Sequence, residues 1–152
     1  MNKKQLIVSL IILFSLVIFF IVFQAWAGSN TYCIKCKSGT GRTVFNADIW
    51  DISSEIEKAE FSIDGEKNTW TNKDKAHVVW DADNGVFTIY ITGKDGPYVV
   101  FWAIPSTFKI IIDTYQRQKY EFKANIHGTE PRKHKDLLSP TIELYCTFDY
   151  EV

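Results

Sequence analysis

From Lys119 to His127 the side chains alternate without a break. Tyr120, Phe122, Ala124 and Ile126 fall on one side, and Lys119, Glu121, Lys123, Asn125 and His127 on the other. Thr141–Val152 repeats the pattern, with Ile142, Leu144, Cys146, Phe148, Tyr150 and Val152 sharing a side. A period of two separates apolar from polar residues only in a pleated strand; at a helical period the same residues would scatter around the axis. The last third of the chain is therefore committed to a sheet with one buried face.

Earlier segments follow the same logic. Thr43–Ile52 alternates Phe45, Ala47 and Ile49 against Asn46, Asp48 and Trp50. Asp83-Asn84-Gly85 separates the apolar-rich runs Ala76–Ala82 and Val86–Thr92, and Asn-Gly between two such runs predicts a tight hairpin with positive φ at both central residues. Lys58–Ile63 leads into Asp64-Gly65, a second turn signal, with Asn68–Thr71 as the answering strand. Tyr98–Ile104 is apolar on both faces, as expected of a central strand or one under a second layer. Phe108–Asp113 places Phe108, Ile110 and Ile112 on one face. Ser54 and Glu57 have capping-box spacing, which predicts a single helical turn over Ser54–Lys58. The sum is an all-β domain of about eight strands, an antiparallel sandwich or small barrel.

The N-terminus is of another kind. Lys3 and Lys4 precede Leu6–Phe23, an apolar run of 18 residues interrupted only by Ser9 and Ser15, and Ala25-Trp26-Ala27 follows. A basic start, an apolar middle and an A-x-A site are the parts of a secretory signal peptide. The run exceeds the usual h-region of about 7–15 residues and approaches the ~20 that span a bilayer, so residues 1–27 are read as a signal peptide or as an uncleaved anchor helix. Either way residues 28–152 form a single extracytoplasmic domain, periplasmic or secreted, or held at the inner membrane and facing outward.

Composition narrows the partners. Lys3 and Lys4 are the only charges in residues 1–27, which leaves 15 Lys and Arg against 18 Asp and Glu, a net −3. Nucleic acid is thereby disfavoured, and the membrane is expected to be touched only through residues 6–23. The remaining 4 Trp, 7 Tyr and 7 Phe are enough for an aromatic core.

Three cysteines carry the one chemical signal. Cys33-Ile34-Lys35-Cys36 is a C-x-x-C, but Lys37-Ser38-Gly39-Thr40-Gly41 follows it as loop, without the helix that lowers the thiol pKa in redox sites. Export permits disulfides. On an extended segment Tyr32, Ile34 and Cys36 share a face, and Cys146 lies on the apolar face of its strand, so face-matching pairs Cys36 with Cys146 and leaves Cys33 spare. Cys33–Cys146 is the alternative.

Other candidates are weaker. His77, His127 and His134 have no His or Cys neighbour at metal-ligand spacing, and no metal or cofactor is expected. Asp81 with Asp83, or Asp48 with Asp51, could form a carboxylate pair, yet Asp at a hairpin turn is expected on turn grounds alone. Trp80 and Tyr90 beside the hairpin, and Trp50 and Trp70 near polar residues, could offer binding platforms but suit a core better. Arg132-Lys133-His134-Lys135, a basic run in the long loop 128–140, is the candidate partner-binding site. The resulting expectation is a non-catalytic binding protein, inhibitor-like or adaptor-like, whose partner is a protein or small ligand of the cell envelope. The alternatives are a carrier of a small apolar ligand and a thiol–disulfide protein using Cys33 and Cys36.

Overall fold

A computed structural model describes residues 31–50, 55–81, 84–94, 96–131 and 138–151. These hold ten strands: β1 (Thr31–Lys37), β2 (Thr43–Trp50), β3 (Ile56–Ile63), β4 (Glu66–Thr71), β5 (Lys75–Asp81), β6 (Val86–Thr92), β7 (Tyr98–Ala103), β8 (Lys109–Asp113), β9 (Arg117–Gly128) and β10 (Ile142–Glu151), with one 3-10 turn at Pro105–Thr107. Nine of them follow a single hydrogen-bonded path, β4-β3-β2-β1-β10-β9-β7-β6-β5, and β8 pairs with β9 beside it. Every pairing is antiparallel. The strand count corrects the expected eight, and the architecture is one curled half-barrel sheet. The proposed signal or anchor helix lies outside the described residues.

The curl follows from where the rings sit. Alternation places Ile34, Phe45, Phe61, Ile89, Phe101, Phe122, Ile126, Leu144 and Phe148 on one buried face. Bending the sheet brings its halves together across that face. Phe45 of β2 stacks on Phe101 of β7 at 5.0 Å, and Trp80 of β5 on Phe148 of β10 at 4.7 Å, nearly parallel at 7°. Trp70 is fully buried in β4 and donates its indole N–H to the Pro97 carbonyl at 3.2 Å. Of the flagged tryptophans, Trp70 and Trp80 thus serve the core, whereas Trp50 is exposed on β2 and Tyr90 on β6.

The expected hairpin forms between β5 and β6, but its turn differs. Asp81 pairs with Val86, so four residues make the connection, and of the Asn84-Gly85 pair only Gly85 has positive φ. The two-residue turn with positive φ at both positions occurs instead at Asp64-Gly65 (φ 53° and 86°), closed by the Ile63–Glu66 pair. Arg42 clamps Asp64 from outside with two hydrogen bonds of 2.6 and 2.8 Å.

Two further expectations are corrected. The capping-box spacing at Ser54 and Glu57 does not produce a helical turn: Ser54 lies outside the described residues, and from Ile56 onward the chain is β3, its pairing with β2 burying Ile56 and Ala59. Side chains at 57 and 58 point outward in that ladder, and no apolar face at helical spacing was present to outweigh it. Nor do Phe108, Ile110 and Ile112 share a buried face. A register shift between Ile110 and Ile112 bends β8, leaving Ile110 68% and Ile111 48% exposed. Phe108, just before the strand, stacks on Phe122 at 4.6 Å.

Strand β9 organises the region around the site. Along one edge it pairs with β10 over Arg117–Ile126. Its other edge is shared, with β7 joined at Ala124–Gly128 and β8 at Gln118–Glu121. Pro105 marks the change of partner, since it has no N–H for the ladder. The 3-10 turn is pinned there by Thr107, whose hydroxyl accepts the Lys123 amide at 2.8 Å and donates to the Ile104 carbonyl at 2.7 Å.

Candidate functional site

The outward face of β2, β1, β10 and β9 holds a broad concavity. Register stacks its side chains in rungs. One rung runs Asn46, Lys35, Thr147, Glu121 and Lys109 across β2, β1, β10, β9 and β8. The next runs Val44, Lys37, Tyr145 and Lys123. Each rung member is brought to this face by the same alternation that buries Cys36, Phe122 and Cys146 between them. Ser106, Thr107 and Phe108 form the side wall, and the groove so enclosed measures about 990 Å³.

The groove is cationic. Lys35, Lys37, Lys109 and Lys123 line it with Glu121 as the one carboxylate. Lys123 is engaged with Glu143 at 3.0 Å and lies 5.0 Å from the centre of the Tyr145 ring. Its pKa is raised, first by the hydrogen bond to Glu143, then by that carboxylate's charge. Among the described residues, Lys35, Lys37 and Lys109 have no ion-pair partner. Tyr145 is half exposed on the floor, a flat ring among ammonium groups. Such an array can grip an acidic group and stack a planar or apolar part beside it.

The cysteines occupy opposite faces. Cys36 and Cys146 are bonded to each other within the buried layer. The bridge agrees with an oxidising, extracytoplasmic setting. Cys33 is the free thiol and points outward, one rung beyond the groove, between Asp48 of β2 and Asp149 of β10. Burial first, and a hydrogen bond to Asp48 second, raise its pKa above the ordinary thiol value. Three residue steps along a strand, about 10 Å, separate Cys33 from Cys36, and their side chains diverge, so this C-x-x-C cannot close on itself.

Arg132, Lys133, His134 and Lys135 lie outside the described residues, as do Asp51 and Asp83, the second members of the two carboxylate pairs. His127 is half-buried on β9, its Nε2 3.2 Å from the Tyr98 hydroxyl, so it is less solvated than its polar strand face implied. His77 is exposed on β5. Among the described residues no group of three His, Cys, Asp or Glu could hold a metal ion.

Sequence reasoning missed the groove. Its lysines sit at 35, 37, 109 and 123, each reading locally as the solvated half of a strand. The available signal was the outward set of β9 already assigned to the wet face, to which β1 and β10 add their own once the disulfide fixes Cys36 opposite Cys146. Comparison with protein-family models, curated proteins and solved structures found no match.

Proposed function

We propose that this chain is an exported, non-catalytic binding protein of the cell envelope, and that the groove over Lys35, Lys37, Lys109, Lys123 and Tyr145 receives an acidic segment of a protein partner. One observation carries the reading: on a domain of net charge −3, four lysines from three strands converge on one groove, and among the described residues three of them have no ion-pair partner. Like charges so placed repel, and an anionic guest relieves the repulsion. The export part rests on residues 1–27 and agrees with the Cys36–Cys146 bridge. The carrier alternative ranks lower because the inner face is filled by rings in contact with one another. The thiol–disulfide alternative ranks lower because Cys33 and Cys36 are on opposite faces.

Titration with a short Glu- and Asp-rich peptide, followed by amide chemical shifts, tests this. Shifts are expected at Lys35, Lys37, Lys109, Tyr145 and Thr147, weakening with salt. The double substitution Lys35→Ala and Lys37→Ala removes outward side chains and is expected to weaken binding about tenfold, some 1.4 kcal/mol. Equal binding by the double variant, or shifts spread over the opposite half of the sheet, overturns the proposal.

A further inference from the structure

The β8–β9 hairpin presents apolar side chains to solvent. Ile110 is 68% and Ile111 48% exposed, and Tyr115, in the connection, is 94% exposed. The connection is closed by Thr114 and Arg117, whose amides and carbonyls bond each other at 2.9 and 3.3 Å. Among the described residues β8 pairs only with β9, so its second edge is open. An exposed isoleucine strand with a free edge promotes aggregation unless something covers it.

The sheet register shows what lies nearby. Glu151 pairs with Arg117 at the base of the hairpin, Cys33 pairs with Asp149, and Thr31 pairs with Trp50. Thr31, where the chain enters the sheet, is therefore at the same end as Tyr115, and Trp50, 44% exposed, is there too. Only residues 24–30 separate Thr31 from the apolar run Leu6–Phe23, a tether of about 25 Å at full stretch.

We infer that the end of the sheet bearing Ile110, Ile111 and Tyr115 rests in the lipid interface, with Leu6–Phe23 kept in the bilayer as the anchor. The inference rests on the uncleaved-anchor form of the export reading of residues 1–27, and Ile110, Ile111 and Tyr115 are not themselves groove residues. Isoleucine side chains seat at the acyl boundary, and tyrosine and tryptophan suit the headgroup level. Asp113 and Glu151 are exposed at this end, so the contact is apolar and does not depend on anionic lipid. Lys109, the residue before Ile110, belongs to the nearer groove rung, so that edge of the groove borders the lipid contact, while the rung of Val44, Lys37, Tyr145 and Lys123 lies further along the strands and stays open to a partner.

The test uses the full chain in phosphatidylcholine vesicles that carry nitroxide-labelled lipid. With Cys33→Ser as background, a fluorophore is placed at Ile110→Cys, at Tyr115→Cys and, as a control, at Glu66→Cys, which is exposed at the opposite end of the sheet. Quenching by lipid is expected to be several-fold greater at 110 and 115 than at 66, and unchanged when phosphatidylserine is included. Adding Ile110→Glu and Ile111→Glu is expected to reduce the quenching at Tyr115→Cys. Equal quenching at all three positions overturns the inference. So does disulfide cross-linking between two chains through Ile110→Cys with quenching at the control level, which assigns the hairpin to a second copy. Export is read separately, from protease access to a tag at Val152 in intact host cells. A tag facing the cytosol removes the export premise, whereas an outward tag with equal quenching rejects the lipid contact alone.

Discussion

Cys36 and Cys146 stand directly opposite each other in the β1–β10 pair, their α-carbons 4.1 Å apart, and their bridge closes 110 residues of chain. The stabilisation lies mainly in the unfolded state, whose freedom the loop restricts. The double substitution Cys36→Ala and Cys146→Ala is expected to cost about 4–5 kcal/mol on the chain-entropy model. Cys33→Ser, outside this bridge, is expected to cost less than about 0.5 kcal/mol. Urea unfolding of the three proteins checks both, and a loss below about 1 kcal/mol in the double variant refutes the account.

The environment of Cys33 predicts a reluctant thiolate. Burial raises its pKa first, and the hydrogen bond to Asp48 adds to it. Alkylation by iodoacetamide is expected to reach half its limiting rate at a pH above that of a free thiol. Asp48→Asn removes a negative charge and is expected to move that midpoint down. A midpoint at or below the ordinary thiol value shows the assignment to be wrong.

Gly128 has no room for a side chain. A Cβ there would meet the Tyr98 carbonyl at 2.5 Å and the Val99 α-carbon at 2.9 Å, both backbone atoms of the paired strand. Backbone in the middle of a sheet cannot swing aside as a side chain can. Gly128→Ala is therefore expected to lower stability by about 1–3 kcal/mol. Gly41→Ala also changes a glycine, but at positive φ in open space, so its cost is conformational only, about 1 kcal/mol. If the two variants melt together, the steric argument fails.

The stack of Trp80 on Phe148 holds β5 against β10 and so closes the curl. Phe148→Ala is expected to cost about 3–5 kcal/mol. A double-mutant cycle with Trp80→Ala is expected to return a coupling of about 0.5–1.5 kcal/mol, because each ring gives the other its packing surface. Additive losses, with no coupling, would place the closure elsewhere.

Legibility in the sequence followed locality. Strands β9 and β10 could be read residue by residue because one face of each is buried and the other wet, and their cysteine face then chose Cys36 over Cys33. Ile110 and Ile112 of β8 misled because apolar composition says nothing about position. That strand sits beside the main path and, among the described residues, pairs only with β9. Glu57 misled in the reverse sense, as a local helix signal overruled by pairing between β2 and β3. The groove was not legible from any single strand, since Lys37, Tyr145 and Lys123 become neighbours only through pairings that span most of the chain.

The strand order also carries a temporal consequence. β10, which leaves a ribosome or translocon after the other nine described strands, lies between β1 and β9 in the middle of the sheet. Until it arrives, β4-β3-β2-β1 and β9-β7-β6-β5 are two separate ribbons, each with a bare edge, and Cys36 has no mate. β10 must emerge before either ribbon can be paired with the other, so a nascent chain that stops short of Ile142 is a pair of unsealed sheets.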